Sequence, residues 1–352
     1  MVHKIVFIIN PISGTANKKS MPTLIDKYID KNRFDIEIKF TEYAGHASIL
    51  ATEAKEAGID VVVAVGGDGT INEVARALIN SKTALGIIPC GSGNGLARHL
   101  MLPLNAKGAL EVINNCEIHD LDYGIINGHP FFCTCGMGFD AFISAKFAEA
   151  GKRGPITYVE NVLKEGLTYK PETYDITLDD AEISYKAFLV SCANASQYGN
   201  DAYIAPQASM KDGLIDVVII EPFDIIEAPS ISLEMFNKTL DKNSKIKYFK
   251  TRKLHIHREQ PGVIHYDGDP IEAPADIDIE LVHKGIRIVV NPNADKRRRR
   301  PNKVQSAFSD FFSELQNVKN GMEHLTSEVG QQVGYPVRQA KAVSEFIQNK
   351  LK

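Results

Sequence analysis

The stretch that most constrains how this chain folds is Asp60-Val61-Val62-Val63-Ala64-Val65-Gly66-Gly67-Asp68-Gly69-Thr70-Ile71-Asn72-Glu73. An unbroken apolar run rich in valine suits a central parallel strand covered on both faces. The three glycines within the next four positions let the backbone take positive φ and come close to a ligand. Thr70 is placed to cap a helix over 71–79, whose free N–H groups and positive dipole end attract phosphate. Asp68 does not belong in a simple phosphate cradle, because a carboxylate repels phosphate unless a cation lies between them. The turn therefore predicts a magnesium-bound nucleotide, against the plainer alternative of a tight glycine turn joining strand to helix.

The same unit recurs on either side. Predicted strands over 4–10, 35–40, 61–65 and 84–88 alternate with helices over 22–32, up to about 57, and over 71–79. That alternation denotes a parallel sheet with covering helices. Loops at the C-terminal ends of such strands gather on one edge, where these sheets bind ligands. Four of those loops are polar here. They are Asn10-Pro11-Ile12-Ser13-Gly14, Thr41 with its neighbours, the glycine turn at Asp68, and Pro89-Cys90-Gly91-Ser92-Gly93-Asn94.

From about residue 121 the texture changes to short alternating stretches. These fall at 122–126, 130–135, 174–178, 186–193, 214–220, 253–258, 262–266, 277–281 and 286–290. Their spacing predicts an antiparallel sheet or sandwich, interrupted by helices over 155–166 and 225–241. The fold class is thus α/β plus β. An N-terminal three-layer α/β domain over 1–121 precedes a β-rich domain over 122–295, and a basic linker with an amphipathic helical tail occupies 296–352. In the tail Val304, Phe308, Phe311, Leu315, Val318, Met322, Leu325 and Val329 form a heptad seam behind five basic residues, Lys296 to Arg300. The seam packs on the body, pairs two copies as a homodimer, or docks on anionic lipid as a peripheral membrane contact.

A formal charge of −4 gives no general reason to expect a nucleic-acid partner. There is no apolar run of 18 residues, and the N-terminus enters a strand pattern directly rather than through a signal peptide. The five cysteines are odd in number and lack zinc-type spacing, although Cys133 and Cys135 share a face if 131–135 is one strand. A reduced, cytoplasmic protein is the simple expectation.

With these residues in hand, the chain resembles the diacylglycerol kinase catalytic-domain superfamily, which holds bacterial lipid kinases, sphingosine kinases and ceramide kinases. The matching motifs are Asn10-Pro11-Ile12-Ser13-Gly14, Thr41 with Gly45-His46-Ala47, Gly66-Gly67-Asp68-Gly69-Thr70-Ile71-Asn72-Glu73 and Gly91-Ser92-Gly93-Asn94. Two more follow: Pro206-Gln207-Ala208-Ser209-Met210-Lys211-Asp212-Gly213-Leu214-Ile215-Asp216-Val217, and Tyr266-Asp267-Gly268-Asp269-Pro270. They stand in the family's order over residues 4–292.

The resemblance implies an ATP-dependent lipid kinase whose cleft lies between the two domains, at work on a lipid substrate at the inner membrane surface. By the same resemblance Asn10, Pro11, Ser13, Gly14, Thr41, Gly66, Gly67, Asp68, Gly69, Thr70, Asn72, Gly91 and Ser92 would hold ATP. Ser209, Asp212 and the carbonyl of Leu214 would hold Mg2+, linked through water to Asp68. Asp267 would take the proton of the acceptor hydroxyl, with Asp269 as a supporting or alternative base. The family usually carries glutamate at the Asp269 position. Read without the family, Asp267-Gly268 is first of all a hairpin turn. Gly95 after Asn94 looks closer to the sphingosine kinase version of the second loop, and His46 is expected to cap or pack rather than catalyse. The rivals are a kinase of a soluble substrate, of NAD kinase or phosphofructokinase type, and a nucleotide- or lipid-binding module without turnover.

Overall fold

The computed structural model describes residues 2–12, 18–150, 169–178, 181–224 and 227–294. Ser13, Gly14, the helix expected over 155–166, part of the one expected over 225–241, and the 296–352 tail lie outside the described residues.

The first half is built from β1 (His3–Ile9), α1 (Met21–Tyr28), β2 (Phe34–Phe40), α2 (His46–Glu56), β3 (Val61–Gly66), α3 (Asp68–Leu78), β4 (Ala84–Pro89), α4 (Gly95–His99) and α5 (Ala106–Asn115). The strands stand in the order β2, β1, β3, β4 and all run parallel. Every residue of β3 and β4 is buried, as their unbroken apolar sequences require. Ile71, Val74, Ala75 and Leu78, at helical spacing on α3, enter the same core as Leu50, Ala51 and Ala54 of α2.

The start of α3 corrects one expectation. The helix begins at Asp68, because Gly67 is extended and its carbonyl already accepts the Ile71 N–H at 3.1 Å. Thr70 therefore lies inside the first turn and is not the cap. Its hydroxyl instead accepts a hydrogen bond from Asn10 Nδ2 at 3.0 Å.

The second half runs β5 (Ile118–Ile126), β6 (His129–Phe131), β7 (Thr134–Gly138), α6 (Phe139–Ala150), β8 (Glu172–Leu178), β9 (Ala181–Ala187), β10 (Leu189–Ala193) and β11 (Ile215–Ile220). It continues through α7 (Ala228–Asn237), β12 (Ile246–Thr251), β13 (Lys253–Arg258), β14 (Gly262–Tyr266), β15 (Asp269–Ala273) and β16 (Asp276–Val289). Six strands form an antiparallel sheet in the order β12-β11-β10-β7-β14-β15. The others extend the first sheet to ten strands, with β16 beside β4 and then β13, β8 and β9, and with β5 and β6 attached through β16. The two sheets face each other across one core, where Ile176, Ile256, Ile277 and Ile279 meet Met137, Val217, Ile219 and Ile264. Phe139 and Ile143 of α6 and Ile231 of α7 pack in a third cluster with Leu189, Val218 and Ile220 of the six-stranded sheet.

Two stretches expected as single strands are each divided between the sheets. The stretch 130–135 becomes β6 and β7, and 186–193 becomes β9 and β10, with each pair parted by a corner. Cys133 falls in the first corner and packs in the N-terminal core, whereas Cys135 lies in the core between the sheets, so they do not share a strand face. All five cysteines are free thiols. In the opposite sense, 277–281 and 286–290 are one strand, β16, with a register shift between Val282 and Ile286. Lys284 takes φ +54° in this bulge, and buried Asp122 accepts its N–H at 2.7 Å.

Candidate active site

Parallel strands β1 to β4 end on one edge, so Asn10, Thr41, the turn Gly66–Gly67–Asp68–Gly69–Thr70 and the turn Gly91–Ser92 all emerge there. Thr41, Thr70 and Asn72 are buried beneath it. Pro11 follows Asn10, whose Oδ1 accepts the Ile12 N–H at 3.1 Å. The two glycine turns interlock. A Cβ on Gly91 would stand 2.8 Å from the Cα of Gly67, an approach only glycine permits. Glu73 accepts the N–H groups of Gly45 at 3.0 Å and Ala47 at 3.2 Å, which ties the loop after β2 to α3. His46 stacks on Tyr43 at 4.6 Å and its Nδ1 accepts the Glu42 N–H, a packing role.

Asp68 has partners that its sequence neighbours do not suggest. Its carboxylate accepts the N–H groups of Asn94 at 2.8 Å and Gly95 at 2.7 Å, and so fastens the second glycine turn to the first. Burial raises its pKa, while those two amides and the Arg98 charge act in the other direction. Arg98 in turn donates to the Gly93 carbonyl at 2.8 Å and forms a buried ion pair with Asp201 at 2.6 Å.

Across the site, Asp267 and Gly268 join β14 to β15. Their φ values of +53° and +86° and the pairing of Tyr266 with Asp269 make this a two-residue hairpin turn, as the bare dipeptide suggests. The turn also carries chemistry. At the corner between β6 and β7 the chain changes sheet, which leaves consecutive amides free of a ladder. Asp267 takes them: its carboxylate accepts Phe132 N–H at 2.8 Å, Cys133 N–H at 2.7 Å and Thr134 N–H at 3.2 Å. Burial still pushes its pKa up to about 6, against the pull of these amides and the Arg76 charge. Asp269 has different surroundings. Its side chain is 51% exposed and pairs with Arg76 at 3.0 Å, while that guanidinium lies 4.6 Å from the centre of the Tyr266 ring.

The two carboxylate turns meet at Cys133. Its N–H is bound to Asp267, and its Sγ is 3.5 Å from where a Cβ on Gly95 would stand, next to the amide that holds Asp68. Burial raises the thiol pKa well above its ordinary value, and the Asp267 and Asp68 charges raise it further. A single helix spans the gap as well. α3 begins at Asp68 and presents Arg76 to Asp269, about 12 Å further along its axis at 1.5 Å per residue.

Ser209, Asp212 and Leu214 occupy the loop before β11. Ser209 Oγ accepts the Lys211 N–H at 3.3 Å, and Asp212 accepts the Leu214 N–H at 3.2 Å and pairs with Lys250 at 3.1 Å. Among the described residues no three His, Cys, Asp or Glu side chains cluster as a metal site. Beside this loop, however, buried Asp216 binds Lys250 and the Tyr248 hydroxyl through one oxygen and leaves the other without a hydrogen bond. The oxygen donors of Ser209, Asp212 and Leu214 suit a hard divalent cation of the kind that the family implies, which would take over the charge that the Lys250 ammonium now supplies between Asp212 and Asp216.

Arg76 and Arg98 are not visible as site residues in the sequence. Each acts on a partner distant in the chain, as Arg76 does on Asp269, 193 positions away, and no local motif marks them.

Residues 4–126 match the family model described as diacylglycerol kinase catalytic domain, and residues 133–290 match the YegS C-terminal NAD kinase beta sandwich-like domain. The chain is 28% identical over 265 residues to a protein of Chromohalobacter salexigens named "Probable lipid kinase YegS-like", covering 74% of this chain and 82% of that one. A diacylglycerol kinase of Staphylococcus saprophyticus is 27% identical over 267 residues, 74% of this chain and 87% of its own. The fold is similar to a solved diacylglycerol kinase from Bacillus anthracis, with a TM-score of 0.64 at 22% identity over 83% of this chain and 98% of that one. Matched by two family models in tandem along most of its length, the chain belongs to the diacylglycerol kinase catalytic-domain superfamily.

Proposed function

We propose that this protein is an ATP-dependent lipid kinase that transfers the γ-phosphate to a hydroxyl of diacylglycerol or a related lipid such as a sphingoid base. The observation that carries the proposal is the meeting of the Asp68 turn and the Asp267 turn at Cys133. Interlocked glycine turns at the ends of β3 and β4 supply backbone N–H groups for the triphosphate, with Asn10 and Thr41 beside them. Ser209, Asp212 and the Leu214 carbonyl would hold Mg2+, which supplies positive charge to offset that on the phosphates.

The acceptor turn divides its work between two carboxylates. Asp267 is tied to three amides and sets the shape of the turn. Asp269, half-exposed and held by Arg76, is open to an incoming hydroxyl and accepts its proton as the new P–O bond forms. This exchanges the leading and supporting roles that the resemblance implies. A base so placed contributes ~10²–10⁴-fold. The reaction takes place at a membrane surface that holds the lipid. No described helix is long and apolar enough to cross one.

The test is transfer from labelled ATP to a panel of lipids in mixed micelles. The expected result is label on diacylglycerol or a sphingoid base, lost in Asp68→Ala and in Asp269→Asn. Label on NAD and on no lipid, or full activity in both variants, would overturn the proposal.

A further inference from the structure

Behind the acceptor turn lies a second, buried group of polar side chains. His265 is 2% exposed and Asp140 is 9% exposed, and His265 Nε2 is 3.1 Å from Asp140 Oδ2. The same oxygen accepts the Tyr198 hydroxyl at 3.0 Å, and Oδ1 accepts the Ala141 N–H at 2.8 Å. His265 Nδ1 faces the Gly268 N–H at 3.4 Å. The sequence prepares this arrangement at one position. Gly136 on β7 stands opposite His265 on β14, and a Cβ there would fall 2.5 Å from Asp140 Oδ2, so the missing side chain makes room for the carboxylate.

The hydrogen bonds fix the state of the ring. The Gly268 amide can only donate, so Nδ1 must carry no proton, and Nε2 carries the one given to Asp140. The other end of the group reaches the phosphate side. The Tyr198 carbonyl is 3.4 Å from where a Cβ on Gly95 would stand, and the Asn200 N–H donates to the Gly93 carbonyl at 3.1 Å. Neither Asp140 nor His265 has a part in the phosphate transfer as described above.

We infer that Asp140 and His265 are a positioning pair: Asp140 selects the imidazole tautomer whose free Nδ1 holds the Gly268 amide, and so sets the turn bearing Asp267 and Asp269. Tyr198 links the pair to the second glycine turn, so that one group of side chains references both halves of the transfer site. The inference rests on the lipid kinase reading for its kinetic consequence but not for its structural one. Asp140→Asn makes the distinction sharp. The Ala141 amide keeps the Asn carbonyl oxygen where Oδ1 was, so the amide NH₂ faces His265 and donates to Nε2. The ring then carries its proton on Nδ1, against the Gly268 N–H.

Nitrogen-15 NMR of the imidazole in the full-length protein reads the tautomer directly. The expected result is an Nε2–H ring in the parent protein and an Nδ1–H ring in Asp140→Asn. Displacement of the Asp269 carboxylate by about 1 Å is expected to lower kcat for lipid phosphorylation about 10²-fold, with KM for ATP within two-fold. His265→Gln is the second variant. Its amide nitrogen, at the Nε2 position, still donates to Asp140, but it has no acceptor atom at the Nδ1 position for Gly268, so it should fold and lose kcat to a similar degree. An Nδ1–H ring in the parent protein overturns the inference, and so does a folded His265→Gln with unchanged kcat. If the parent phosphorylates no lipid, the functional proposal fails, while the tautomers of parent and variant still decide the positioning role.

Discussion

Asp267 and Asp269 stand two residues apart and differ in nearly every physical respect. Asp269→Asn removes the proposed proton acceptor without emptying a buried site, so kcat should fall ~10²–10⁴-fold while the melting temperature holds. In Asp267→Asn one amide of the β6–β7 corner faces an NH₂ group in place of an oxygen. Stability should fall by about 1–3 kcal/mol together with activity, measured by denaturant melts beside the lipid assay. Two part-buried groups then give opposite pH signatures. Folded Asp267 keeps its proton up to about pH 6, whereas an unfolded aspartate gives it up near 4, so its contribution is full below about pH 4 and is lost as pH rises through about 6. His99, whose Nδ1 accepts the Ser196 N–H at 3.1 Å, has its pKa lowered to about 4 by burial. Its contribution is present above about 6.5 and is lost as pH falls toward 4. Melts across pH 4–7 should therefore show a gain of Asp267→Asn relative to the parent with rising pH, and a flatter acid limb in His99→Asn.

Among elements, α3 has the largest part in the candidate site, because it begins at Asp68 and its Arg76 holds Asp269 on the β14–β15 turn. Arg76→Gln should leave Asp269 unheld and lower kcat while sparing KM for ATP. Gly91→Ala forces a methyl group to within 2.8 Å of the Gly67 backbone, so it should raise KM for ATP and lower the melting temperature. Steady-state kinetics of the pair separates the two turns. Elements of this kind were legible where a local rule governs them. Alternating strands and helices marked β1 to β4, and Asp-Gly marked the β14–β15 hairpin. The rest depended on distant partners. α6 escapes notice because Ala141, Ala145 and Ala148 place small apolar residues on the face opposite Phe139, Phe142 and Ile143, so no single stripe stands out. β12 mixes lysine with aromatic residues and lies at a sheet edge, where one side needs no apolar partner. Corners between sheets, such as the one at Cys133, depend on which sheet accepts the next strand, and no residue near them states that.

At the scale of the whole molecule, the N-terminal sheet and the β-rich half share hydrogen-bonded strands, since β16 pairs with β4 at one end and with β13 and β5 along its length. A hinge between the halves would have to break that ladder, so ATP and lipid are expected to meet by movement of loops. The basic tail is a separate matter. Removal of residues 297–352 should leave micellar activity intact and weaken binding to anionic vesicles, as flotation would report. Unchanged flotation would remove membrane docking by the tail.

The position of β16 also bears on how the protein is made. Strand β4 ends at Pro89, but the neighbour that covers its free edge ends at Val289, 200 residues later. At about 5–20 residues per second, a nascent chain shows that edge for roughly 10–40 s before the ribosome delivers its partner. Ile286, Ile288, Val289 and Val290 belong to the same N-terminal core and arrive equally late. The first half of this enzyme is thus synthesised first and completed last. Fragments that end before β16 should be captured by chaperones or aggregate through the open edge, whereas a chain that ends just beyond it should be soluble.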